Sequence, residues 1–63
     1  MQPHQERVVT EKKELDEKLS KLALFMGGVT FANLPAAEKE RLFRQEELMA
    51  KYSVVLGERI AAF

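Results

Sequence analysis

In the first half of the chain the apolar residues Val8, Leu15, Leu19, Leu22 and Met26 alternate four and three apart, with Lys12 occupying the position the alternation leaves open. That is the period of a helix, and it predicts one over about residues 3–26. Pro3 suits a first turn, where a missing N–H is harmless. Glu14 with Lys18 and Glu17 with Lys21 form i,i+4 pairs in the favoured order, each contributing about 0.2–0.5 kcal/mol. Gly27-Gly28 then ends the helix, because glycine costs about 1 kcal/mol in a helix interior and accepts the left-handed conformation in which helices often stop. Residues 27–34 read as a linker whose Phe31 and Leu34 plug the open end of a hairpin.

A second helix is predicted over about 35–63. Pro35 fixes φ for its first turn, and Glu38 brings negative charge to the positive end of the helix dipole. Its apolar line runs Leu42, Gln45, Met49, Tyr52, Leu56, Arg59 and Phe63, and Leu48, Val55 and Ala62 form a second line one residue behind. Two adjacent stripes make a face wide enough for the first helix and for something else. The stretch Tyr52 to Phe63 is apolar on nearly every side, and such a helix has to be buried on several sides. In 63 residues there is too little protein to surround it. The predicted fold is therefore all-α, an antiparallel two-helix hairpin assembling into a homo-oligomeric bundle, in which Leu48, Val55, Leu56, Ile60 and Phe63 meet a neighbouring chain.

Size and composition strengthen that expectation. A chain this short buries only about 60% of its unfolded surface and usually needs a staple. There is no cysteine, and a lone His4 builds no imidazole zinc site, so neither a disulfide framework nor a structural metal is expected, nor any cofactor. Ten basic residues balance ten acidic ones, which leaves no field to attract a nucleic-acid polymer or an anionic membrane. The apolar runs are far shorter than the roughly 20 residues that span a bilayer, and the polar N-terminus lacks the pattern of a secretory signal. A soluble protein of the cytoplasm is the expectation.

Candidate chemistry gathers at one corner. Antiparallel pairing brings His4, Arg7 and Val8 towards Arg59, Ile60 and Phe63. Arginine forks and the free N–H groups of a helix start suit phosphate oxygens, and the rings of Tyr52 and Phe63 suit a base. Arg7, Lys12, Tyr52 and Arg59 are the candidate ligand-binding residues. The alternatives are that Arg7 and Arg59 pair with Glu6, Glu11, Glu58 or the C-terminal carboxylate, that Tyr52 is a core or interface residue, and that Lys12 snorkels from an apolar seam. Lys12 and Gln45 on inner lines also suit polar groups that fix register. Gly57 interrupts the second helix in its most apolar part, as a neutral glycine, a kink, or a point where another backbone or a ligand comes close. Catalysis is not expected. Ser20 and Ser53 have no histidine at helical spacing, the carboxylates are interleaved with lysines, and Gly27-Gly28 lacks the strand and Lys-Ser/Thr of a phosphate loop.

Pro3-His4-Gln5-x-Arg7-Val8-Val9, Glu11-Lys12-x-Glu14-Leu15-Asp16-x-Lys18, Phe31, Leu34, Glu38-x-x-Arg41-Leu42-x-x-Gln45, Met49, Tyr52-Ser53 and Leu56-x-x-Arg59-Ile60-x-x-Phe63 together span nearly the whole chain. As a set they resemble a family of short tailed-phage and prophage proteins named after a crAss-like phage gene product. The resemblance implies an accessory phage gene rather than a virion part. Small helical phage proteins of this kind include the anti-CBASS and anti-Thoeris sponges, which sequester cyclic oligonucleotide or related immune signals without cleaving them. A homo-oligomeric sponge for a cyclic nucleotide, acting in the host cytoplasm, is the leading expectation. The rival is a helical module that binds a host or phage protein through its apolar C-terminal helix.

Overall fold

The computed structural model describes residues 1–63 and contains three helices, α1 (Pro3–Met26), α2 (Val29–Ala32) and α3 (Ala36–Ala61). α1 starts where the Gln2 backbone N–H donates to Gln5 Oε1 at 2.8 Å, satisfying one of the donors a helix start leaves free. Its end differs from the expectation. Gly27 lies at φ −87° and Gly28 at φ −100°, ψ 174°, and no residue adopts positive φ. The chain leaves the helix through an extended Gly28, which directly opens the single turn α2, so no left-handed residue is required. α3 begins after Pro35 and ends at Ala61, within a residue or two of the predicted limits.

α1 and α3 pack antiparallel as a rod of 46 × 15 × 13 Å. The linker is closed by aromatic rings: Phe31 of α2 is buried, with Phe25 of α1 at 6.3 Å and Phe43 of α3 at 5.5 Å, both edge-on, and the Lys39 ammonium lies 6.0 Å from its ring. Edge-to-face pairs of this kind contribute about 0.5–1.5 kcal/mol beyond burial. Leu34 is half-buried beside this cluster in sequence. The plug predicted for Phe31 therefore sits at the turn end.

Between the helices the α1 seam is Gln5, Val8, Lys12, Leu15, Leu19, Leu22 and Met26, all buried or half-buried, at strict four–three spacing. The α3 seam is Leu42, Glu46, Met49, Ser53, Leu56 and Ile60. The predicted line placed Gln45, Tyr52 and Arg59 where the helix buries Glu46, Ser53 and Ile60. Leu42, Met49 and Leu56 are common to both lines and the alternate positions move by one residue, so the face turns by about 50°, because packing on α1 selects the stripe that carries Leu56 and Ile60 together with a serine able to meet Lys12. Leu56 is 0% exposed and is the one fully buried large side chain. It has no surface left for a neighbouring chain and so leaves the predicted oligomer interface; Ile60 is half-buried and still borders the open groove along α1. Leu48, Val55 and Phe63 remain exposed.

Only three apolar side chains, Val8, Phe31 and Leu56, are buried. The chain exposes 4780 Å², against about 4,100 Å² for a compact monomer of its mass. Leu48, Val54, Val55, Phe43 and Leu24 are all half or more exposed. No helix is long and apolar enough to cross a membrane.

Candidate ligand-binding face

Lys12 carries a charge in the middle of an apolar seam and therefore needs an acceptor. It has two. Its ammonium donates to Ser53 Oγ across the seam at 2.7 Å and to Asp16 Oδ2, one turn further along α1, at 3.0 Å. Ser53 in turn donates its hydroxyl proton to Asp16 Oδ1. The three groups form a closed triangle with every bond charge-assisted or accepting from a charged donor, and no buried side-chain polar atom of the protein is left unpartnered. The Ser53 hydroxyl, followed by the Lys12 ammonium, holds the Asp16 carboxyl below the usual aspartate range. Because Lys12 donates to Ser53, it does not serve as a base for it. The triangle is a register device, since sliding one helix by a turn would strand Lys12 opposite an apolar residue.

Ser53 and Asp16 were not among the predicted site residues. Periodicity reports apolar positions, and a serine in an apolar run registers as a gap. The signal that finds them is Lys12 itself, whose place on an inner line demands acceptors at i+4 and across the seam.

Commitment of Lys12 to this triangle separates it from the other three candidates. It lines an open groove along α1 with Val9, Lys13, Asp16 and Ser20, closed on one side by Ile60. Arg7 lies two residues before Val9, about 200° around the helix, in a separate shallow groove with Pro3, Glu6, Thr10, Glu11 and Glu14. Tyr52 and Arg59 line no groove; Tyr52 is 44% exposed and Arg59 is exposed. Within one chain no concavity is lined by more than one of Arg7, Lys12, Tyr52 and Arg59.

The two arginines are nevertheless free. The ion pairs are Lys12–Asp16, Arg41–Glu38 at 2.8 Å and Lys51–Glu47 at 2.8 Å, so Arg7 and Arg59 pair with none of the carboxylates considered for them. Tyr52 makes no side-chain hydrogen bond, and Gln45 is exposed, its amide 3.8 Å from Met49 Sδ. Arg7 precedes the seam residue Val8 and Arg59 precedes the seam residue Ile60. In an antiparallel pair, positions one residue before facing seam positions lie on the same broad side of the hairpin. Tyr52, one residue before Ser53, lies on that side too. The register set by the Lys12–Ser53 bond, and by Ile60 beside Val9, puts Arg7 and Arg59 near the same end. The arrangement is a flat, open face with two uncommitted guanidinium groups and a ring.

A family model described as Sequestin matches residues 2–62. No curated protein matches the chain, and no solved structure does.

Proposed function

This chain belongs to the Sequestin family, and we propose that it is a phage-encoded, homo-oligomeric protein that sequesters a cyclic nucleotide signal in the host cytoplasm without cleaving it. The family's name points to sequestration. The observation that carries the reading is the pair of free arginines, Arg7 and Arg59, sharing one side of the hairpin with Tyr52 while no groove of a single chain unites them. Guanidinium groups outside any ion pair, Arg59 on the open face and Arg7 beside the glutamates of its own shallow groove, suit the phosphates of a nucleotide, and an exposed ring suits its base. A flat face becomes a pocket only when a second surface closes over it, which is the role the oligomer takes. Lys12, engaged by Asp16 and Ser53, is removed from the ligand set and given the seam. Retention without cleavage is the part of the reading that the family's name suggests, and the cations and ring of that face suit holding a ligand.

The test is calorimetric titration of the purified protein with a panel of cyclic di- and trinucleotides, with light scattering on the same sample. Saturable binding of at least one nucleotide by a closed oligomer supports the reading. Silence across the panel from a folded oligomer refutes it. The exposed Leu48, Val55 and Phe63 also suit the rival, docking onto another protein through α3. A chain that is monomeric and sticky, silent towards nucleotides and saturable by one host protein, would establish the rival.

A further inference from the structure

α3 carries a second heptad stripe beside the one that packs on α1. Arg41, Gln45, Leu48, Tyr52, Val55 and Arg59 recur four and three apart, each one residue before a position of the inner seam, so the two stripes lie about 100° apart on the helix. Helices with two adjacent seams sit at the centre of bundles of three or more helices. Here the outer seam has no partner within the chain: Leu48 is 65% exposed, Val55 50% and Tyr52 44%.

We propose that this stripe is covered by the same stripe of a second copy of this chain, antiparallel, about a two-fold axis between Lys51 and Tyr52. The proposal rests on the homo-oligomeric reading above and names the face and direction it uses. Charge complementarity selects the occupant. Arg44 and Glu58 flank the stripe on one side, fourteen residues apart, both exposed and neither in an ion pair within the chain. Their midpoint is at Lys51, and the midpoint of Leu48 and Val55 lies between Lys51 and Tyr52. One two-fold axis therefore sets Leu48 against Val55 and Arg44 against Glu58 of the second copy, each contact occurring twice, as an isologous interface requires. Lys51, nearest the axis, already has Glu47 at 2.8 Å. A parallel pair would instead set Arg41, Arg44 and Arg59 each against itself.

Antiparallel pairing has a consequence for the binding face: Arg44 and Arg41 of the second copy come within about one helical turn of Arg59, so the basic corner is built from two chains, while Tyr52, beside the axis, packs in the dimer seam and leaves the stacking role.

Charge exchange tests the direction, and cysteine pairing tests the register in the otherwise cysteine-free chain. Arg44→Glu and Glu58→Arg should each weaken the dimer about tenfold or more, two attractive pairs becoming repulsive. The double exchange Arg44→Glu with Glu58→Arg should return the dissociation constant to within about threefold of the original. Under oxidation Tyr52→Cys should give a covalent dimer, and Arg44→Cys should link to Glu58→Cys but not to itself, because two copies of position 44 would be about 22 Å apart along the axis. Helical circular dichroism of every variant should match the parent, since all of these positions are exposed. A double exchange that fails to restore the dimer, self-linking of Arg44→Cys, or a monomer in light scattering overturns the proposal. Nucleotide titration of the same samples keeps the two ideas apart: binding by a monomer or a differently paired oligomer would retain sequestration and discard this interface.

Discussion

Replacing Gly57 with alanine tests how the two sides of α3 divide their work. Gly57 lies inside a helix, where glycine is less favourable than alanine by about 0.5–1 kcal/mol. Its backbone φ is negative, so alanine adopts it without strain. A Cβ built there meets only the Lys12 Cε at 3.6 Å, an ordinary van der Waals contact with the stem of a side chain already tied down at its ammonium. Nothing has to move. Gly57 is two residues beyond Val55 and therefore about 200° around the helix from it, away from the stripe proposed to meet a second copy. The whole propensity gain should appear as stability, about 0.5–1 kcal/mol, which for a domain near this size raises the melting temperature by roughly 2–8 °C. The assay is thermal unfolding by circular dichroism at several protein concentrations, with light scattering to hold the oligomeric state in view. An unchanged oligomer with a higher melting point is the expected result. A lower melting point, or a dissociated oligomer, would mean that another backbone or a ligand approaches Gly57, and the assignment of that side to solvent would be refuted.

Three further outcomes follow from the same geometry. Leu56→Ala should cost about 2–5 kcal/mol, a large share of the roughly 3–9 kcal/mol that 63 residues typically hold. Urea unfolding measures it, and a loss below 1 kcal/mol would contradict the placement of Leu56 at the centre of the seam. The Asp16 carboxyl is depressed by Ser53 and then Lys12, and Glu47 by Lys51. A carboxylate whose folded pKa lies below its unfolded one stabilises the fold above the unfolded value, about 4, and that contribution disappears as pH falls through the folded value. Stability should therefore be flat from pH 7 to about 5 and fall below about 4, with a shallower acid slope in Asp16→Asn, which retains only the Glu47 share; an unchanged slope would separate Asp16 from the seam. Arg59→Ala should lose nucleotide binding while the oligomer persists, and loss of the oligomer with binding intact per folded chain would return Arg59 to a structural role.

The hairpin was legible in the sequence because α1 presents its seam almost without interruption, from Val8 to Met26, and because Gly27-Gly28 and Pro35 punctuate the chain where the helices end and begin. The phase of α3 was harder to read. Its inner seam includes Glu46 and Ser53, which resemble solvent positions, while Gln45, Tyr52 and Arg59 of the neighbouring stripe continue the spacing of Leu42, Met49 and Leu56 equally well. Hydrophobic periodicity cannot separate two stripes one residue apart when the true one contains a serine whose partner lies on another helix. The same physics divided the candidate site. Lys12 is drawn out of the ligand set by Ser53, a contact between residues 41 positions apart in the chain, whereas the freedom of Arg7 and Arg59 depends on which carboxylates their helix faces leave within reach. The glycine pair was right in place and wrong in mechanism, since an extended Gly28 followed at once by α2 turns the chain without positive φ.

The central claim is that the chain holds a nucleotide and returns it unchanged. Its most direct measurement is recovery of the ligand: the protein is saturated with the cyclic nucleotide it binds, freed of excess by gel filtration, denatured by heat, and the released material is quantified by chromatography. The account predicts intact cyclic nucleotide in fixed ratio to the oligomer. Linearised product, or no nucleotide retained by a folded oligomer from any member of the panel, would contradict it.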